Sequence, residues 1–459
     1  MSANVMSLVN RVSGIRRRLS RLLSERGSLG QRLLGGAFWL TVGGVASSGA
    51  TLVCSVVLAR QLGISRFGQY SILASTLGIF TMFSGPSLGW TATKFISENR
   101  EKDPGYATRI MTLTNLMALA FSGLCAAVLA LGSGRLAGEV LRAPALRPAL
   151  LMGSILLLFT GINGAQRGAL AGFEAFKAVA VVNVFNGALM VGLVVLLARR
   201  HGIAGAVAGQ GLAVILTCAA GYLVLKKITR NHRMAQFARP RWEDLRVFRG
   251  YTVPYYLIST LSMASSWMVG VLVFHGRNGA YEMGIFGITN QVFLAGMFLP
   301  SMICQPCLPI LAEQIRPGVT GRAAVVRKVI RFSVLISLGV AVAQGGAIYL
   351  WGRPILGIFG KGLEVAMPLL AITLMTTLIA TAQGPLNYFM SASGHAWLGF
   401  ALSALSMAGN LGTILALESR GALAATWARL VSFAILTPIL VWYYRYRLRR
   451  LGGHEDPTV

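Results

Sequence analysis

Carboxylates are what this chain has least of. Only 14 of its 459 residues are Asp or Glu, and all lie in segments that read as loops, tails or the edges of apolar stretches. A protein that binds cationic drugs or coupling cations within a membrane needs negative charge at that depth. Neither the first nor the seventh apolar stretch supplies any. No G-x-x-x-x-G-K-[ST] loop occurs, which argues against ATP hydrolysis within the chain, and no H-E-x-x-H motif or triad pattern points to hydrolytic chemistry. Cysteines number five, and the one close pair, Cys304 and Cys307 in C-Q-P-C, has no second Cys/His pair and encloses Pro306. Such cysteines read as small buried apolar residues rather than as metal or redox ligands. The chain is expected to be no enzyme and to hold no metal or cofactor.

What the chain has is uncharged apolar length. Twelve stretches lie near 33–59, 68–90, 109–133, 148–166, 177–198 and 203–225, then 251–274, 284–308, 331–351, 364–386, 396–417 and 421–444. Each is long enough to cross a hydrocarbon core of about 30 Å as a helix. The expected fold is an all-α polytopic membrane protein with 12 transmembrane helices in two six-helix halves, 33–225 and 251–444. A basic linker at 226–250 joins the halves, and a tail at 445–459 follows them. The leader, 1–32, carries apolar residues along one helical face and arginines around the rest; it reads as an interfacial helix or as a disordered basic tail. Its following apolar stretch is too long for a cleavable signal. Pro86, Pro254, Pro300, Pro306, Pro385 and Pro438 predict kinks or broken helices.

A net charge of +28 would suggest nucleic acid in a soluble protein. Its placement points elsewhere. Counted by alternate loops, 30 lysines and arginines fall on the side of the N-terminus and 11 on the other. That bias predicts cytoplasmic N- and C-termini on a multi-pass protein with an even number of spans. Membrane lipids, not nucleic acid, are the expected partners of this charge.

The halves carry a faint repeat. Gly63, Gly68 and Tyr70 match Gly279, Gly284 and Phe286 at an offset of 216. Ala165-Gln166 matches Ala382-Gln383 at 217, and GIAGAVA at Gly202 matches GALAATW at Gly421 at 219. Because six crossings separate the copies, both insert with one orientation. This predicts a parallel repeat about an axis along the membrane normal, with substrate between the halves.

The stretch LARQLGISRFGQYSILAS carries a resemblance. An A-R-x-L-G ending to the first span, then F-G-x-Y in the second, resembles the oligosaccharide (O-antigen-type) flippases. These belong to the multidrug/oligosaccharidyl-lipid/polysaccharide exporter superfamily. GWTATKFISE and GAQRGALAGFEAF fit the same family, and the resemblance covers residues 33–444. It implies a V-shaped pair of six-helix bundles. It also implies alternating access that carries a polyprenyl-pyrophosphate-linked oligosaccharide from the inner to the outer leaflet, for surface polysaccharide assembly beside a polymerase and glycosyltransferases.

Such a substrate needs cations for its pyrophosphate and amides for its sugars. Arg429 is the one charge well inside a span and the first choice for the cavity. Lys94, Arg167, Arg60 and Arg66 are further cationic candidates; their bland alternative is anchoring at the headgroups. Gln166, Gln383, Asn115, Asn183 and Asn290 are the polar candidates, and each alone reads equally as an interhelical hydrogen bond. Three alternatives stand beside the flippase: a cation-coupled multidrug exporter of the same superfamily, a flippase for the peptidoglycan lipid precursor, and a non-transporting scaffold of a polysaccharide assembly complex. The missing membrane carboxylates count against the first. The second generally has more than twelve spans.

Overall fold

Within hydrocarbon a backbone must satisfy its own hydrogen bonds, and a helix does so within one segment. In a computed structural model of the chain, residues 29–452 are described, except 85, 233, 236, 305–306, 308–309, 312–314, 316–321, 361–362 and 418–420. Among the described residues there are helices and turns and no strand. The leader lies outside them up to residue 28, as does the tail beyond residue 452.

The first half contains α1 (Leu29–Leu62), α2 (Ile64–Ser84), α3 (Pro86–Asn99), α4 (Pro104–Arg135), α5 (Arg147–Gly172) and α6 (Phe176–Asn231). The second contains α7 (Arg246–Phe274), α8 (Gly279–Cys304), α9 (Arg322–Leu350), the short α10 (Gly352–Phe359), α11 (Met367–Ala392), α12 (Ala396–Ala416) and α13 (Ala422–Gly452). Two departures from the twelve expected stretches have local causes. The second crossing is split: α3 begins at Pro86, which has no N–H to give and suits a first helical turn. The fifth and sixth run on as α6, which folds back at Gly202, where φ is 58° and ψ is −134°. An L-residue is strained at such a φ, so glycine makes the hinge between the two arms. Counting both arms of α6, taking α2 with α3 as one and leaving out the eight-residue α10 gives the twelve segments expected.

By length and composition, nine helices among the described residues can cross a membrane, the long α6 counted once. Large apolar side chains point outward, with Leu131 89% and Leu350 81% exposed. In water such a surface would be a liability. Against lipid it is a solvated face.

One interface orders the whole molecule, and it is built on the repeat. α2 packs on α8 and α7 across the two halves. A Cβ on Gly68 would clash with the carbonyl oxygen of Ala280 and stand 2.6 Å from the Gly284 nitrogen. A Cβ on Gly284 would clash in turn with the carbonyl oxygen of Ile64. Under the offset of 216, Ile64 corresponds to Ala280 and Gly68 to Gly284, so the two contacts are one contact seen twice. Ser71 lies against Gly287, its own equivalent. Residue i touching j while j touches i is the signature of a two-fold axis. Here it is an internal one, running between α2 and α8.

The linker is tied to the first half. Asp244, 4% exposed, accepts a hydrogen bond from the Arg241 N–H at 2.8 Å. Its Oδ2 lies 3.4 Å from Arg109 Nε on α4. The Ala238 N–H donates to Thr112 Oγ1, so the linker lies across the start of α4.

Candidate functional site

Arg429 projects from α13 toward α8. Its guanidinium donates to Asn290 Oδ1 at 2.9 Å and lies over the rings of Phe286, at 5.0 Å, and Phe293, at 4.8 Å. Phe433 stands 6.2 Å from Phe293, which extends the aromatic wall along α13. No carboxylate pairs with Arg429 among the described residues. The ring faces hold the cation by their quadrupoles without neutralising it. One guanidinium N–H is bound to an amide, and the rest of the planar fork remains for an anion.

The repeat makes this arrangement more informative. Tyr70 and Gln210 are the first-half equivalents of Phe286 and Arg429, at offsets of 216 and 219. Gln210 Nε2 donates to the Tyr70 hydroxyl. So one half holds a neutral amide–phenol pair where the other holds a cation against phenyl rings. The charge belongs to one side of the axis only.

A second reciprocal set closes the face that carries Gly63 and Gly279. Arg60, ending α1, donates to the carbonyls of Gly357 and Ile358 at the end of α10. His275, just past α7, donates from Nε2 to the Val140 carbonyl oxygen at 2.7 Å. Val140 ends the π-helix Leu136–Val140, which occupies the same place in the first half as α10 in the second. Each half thus reaches from the end of its first span to carbonyls of the other half. Deeper in, Trp267 Nε1 donates to Thr76 Oγ1 at 3.0 Å between α7 and α2.

The other expected site residues are dispersed. Gln383 donates from Nε2 to Thr437 Oγ1 at 2.8 Å and to the Phe433 carbonyl at 2.6 Å, which binds α11 to α13 beside the Arg429 cluster. Asn183 packs on α1 at Gly43, between α1 and α6. Gln166 and Asn115 line a cavity within the first half, away from Arg429. Lys94 and Arg167 are exposed and flank the crossing of α3 and α5, where Thr93 Oγ1 donates to the Gly168 carbonyl at 2.9 Å. Arg66 is exposed in the first turn of α2, at the face Arg60 closes. The cationic candidates therefore do not converge on one point. Sequence reasoning missed Phe286 and Phe293 as partners of Arg429. Phe286 was visible only as the match to Tyr70.

Glu282 lies in the first turn of α8. Its Oε2 accepts from the Ala422 N–H at 2.8 Å, at the start of α13. A carboxylate at a helix N-terminus is stabilised by the exposed N–H groups and the helix dipole, and this one is used that way. All five cysteines are buried and unpaired. Among the described residues no group of three or more His, Cys, Asp or Glu is placed to hold a metal.

Residues 33–314 match the family described as polysaccharide biosynthesis protein. The EPS I polysaccharide export inner membrane protein EpsE of Ralstonia nicotianae is 24% identical over 79% of this chain and 81% of its own. That of Ralstonia solanacearum is 25% identical over the same shares. Among solved structures, the inward-facing conformation of a multidrug resistance MATE family transporter of the MOP superfamily covers 90% of this chain and 96% of its own, with TM-score 0.71 and 12% identity. A MOP superfamily transporter from Pyrococcus furiosus, described as having a binding pocket of reverse polarity, covers 92% and 96%, with TM-score 0.68 and 12% identity. At such identities the likeness to these structures is one of fold.

Proposed function

The chain belongs to the polysaccharide biosynthesis protein family, within the multidrug/oligosaccharidyl-lipid/polysaccharide exporter superfamily, and from that premise we propose that it flips a polyprenyl-pyrophosphate-linked oligosaccharide across the bacterial inner membrane. The observation that carries this is the Arg429 cluster: a cation within the membrane, held by Asn290 and two phenyl rings and left without a carboxylate. A multidrug exporter selecting cations would want the opposite sign there. The pyrophosphate of a lipid-linked sugar matches it, since charge-assisted hydrogen bonds to phosphate are the strong ones.

With the termini cytoplasmic, as the lysine and arginine bias predicts, the face closed by Arg60 and His275 is the outer one. Outward release then requires the reciprocal contacts of Arg60 and His275 to part. The halves, 33–225 and 251–444, would rock about the glycine crossing of α2 on α8. Moving an anion outward from a negative interior is favoured by roughly 2.3 kcal/mol per charge per 100 mV. That term contributes to the outward direction without any coupling carboxylate.

In a strain lacking this gene, polyprenyl-pyrophosphate sugars are expected to accumulate in the cytoplasmic leaflet. The wild-type chain restores their export, and Arg429→Ala does not. A wild-type leaflet distribution in the deletion strain would defeat the reading. Protection from cationic dyes on expression, lost when the proton or sodium gradient is collapsed, would favour the multidrug reading instead.

A further inference from the structure

A cavity of about 300 Å³ lies within the first half, between α4, α5 and the second arm of α6, under the linker. That places it at the lower end of the sizes ligand pockets have. Its wall combines two kinds of chemistry. Lys226, Gln166 and Asn115 bring an ammonium and two amides to one part of the wall. Leu116, Leu119 and Ile162 make another part apolar, and both leucines are exposed at 44% and 47% on the surface that faces lipid. The linker contributes to the cavity, with Phe237 in the wall and Ala238 bound to Thr112.

Gln166 is the telling residue. It is 7% exposed, and its Oε1 is buried with no hydrogen-bond partner. Buried polar groups are normally satisfied, and one left alone in low dielectric is destabilising. Its repeat equivalent, Gln383, is held differently, its Nε2 donating to Thr437 Oγ1 and to the Phe433 carbonyl. At an offset of 219 from Thr437 the first half has Cys218, and that thiol donates to the Phe159 carbonyl instead. The first half therefore lacks the hydroxyl that accepts from the glutamine Nε2 in the second, and its glutamine lines a cavity instead. Lys226 likewise has no carboxylate within ion-pair distance among the described residues.

We infer that this cavity is a lateral binding site for the phosphate headgroup of a membrane lipid. Lys226 faces the phosphate, the Gln166 and Asn115 amides take hydroxyl or ester groups, and the hydrocarbon chain lies along Leu116 and Leu119. A basic recess between helices at the membrane edge suits an anionic headgroup. Two lipids share that chemistry, an anionic glycerophospholipid and a polyprenyl phosphate. The site lies apart from the Arg429 cluster, and its existence does not rest on the transport reading.

The test uses full-length protein in a nonionic detergent and follows its thermal unfolding midpoint, because a ligand that binds only the folded state raises it. The probes are phosphatidylglycerol, a polyprenyl monophosphate and inorganic phosphate. One or both lipids are expected to raise the midpoint by several degrees. Lys226→Ala and Gln166→Leu should each lose at least half of that rise, measured from the variant's own lipid-free midpoint. Arg445→Ala, at the position equivalent to Lys226 in the other half, should keep it. A rise with phosphatidylglycerol alone identifies a bulk-lipid site, and one with the polyprenyl phosphate alone identifies a carrier site. No rise with either lipid, an equal rise with inorganic phosphate, or a full rise in both cavity variants would overturn the inference. Native mass spectrometry of retained lipid provides the same comparison for any variant whose lipid-free midpoint has fallen.

Discussion

Gly68→Ala is expected to lower the thermal midpoint of the purified protein by several degrees and to stop transport, although it adds one methyl group. The new Cβ would meet the Ala280 carbonyl and the Gly284 nitrogen, which are backbone atoms that no rotamer change can move. Overpacking at a crowded site is typically destabilising by about 1–3 kcal/mol, and the larger figure applies where backbone must yield. Gly284→Ala should do the same from the other side, because its Cβ would meet the Ile64 carbonyl. Gly192→Ala, in the first arm of α6, is the contrasting variant. No atom lies within 4 Å of its Cβ position, and alanine is the better helix former. Its midpoint should hold or rise. Equal effects at 68 and 192 would show that the halves do not meet through the two glycines.

The second large effect is at Arg429. Arg429→Ala should reduce export in the deletion strain by about tenfold or more, since truncating one member of a buried, hydrogen-bonded charged contact typically loses about 2–5 kcal/mol. Arg429→Lys keeps the charge but not the planar fork that stacks between Phe286 and Phe293, so it should fall between. Arg429→Met separates substrate recognition from packing. It fills the space with an apolar chain of similar length, and replacing a buried charge in that way is often neutral or stabilising. A folded, thermally stable Arg429→Met protein without export places the arginine in the substrate path. Full export by that variant would make it a packing residue.

Much of this fold is legible without coordinates, because hydrocarbon imposes its length on every crossing. The uncharged stretches account for the helices. Even the faint repeat carries more than it seemed to: Gly68 and Gly284 match in sequence and then touch in space. What was hidden is tertiary. The rings around Arg429 lie on α8, well over a hundred residues before it, and nothing in a linear pattern joins them. Gln166 and Gln383 read alike in sequence, yet Gln383 donates to Thr437 while Gln166, with Cys218 in the equivalent place, lines a cavity. The polar break GPLNYFMSASGH suggested an early end to its span. α11 continues to Ala392 instead, and the turn comes at Gly394, whose φ is +77°. Glycine rather than polarity sets that boundary, since a left-handed residue ends a helix readily.

The central claim is that this chain moves a lipid-linked anionic sugar between leaflets. Its most direct measurement uses the purified protein in liposomes carrying a fluorescent polyprenyl-pyrophosphate oligosaccharide, with the outer-leaflet fraction followed by a sugar-specific reagent that does not cross the membrane. Wild-type vesicles should convert the protected inner pool to the accessible one, while Arg429→Met vesicles should match empty liposomes. Equal protection in wild-type and empty vesicles, with the protein folded, would contradict the claim.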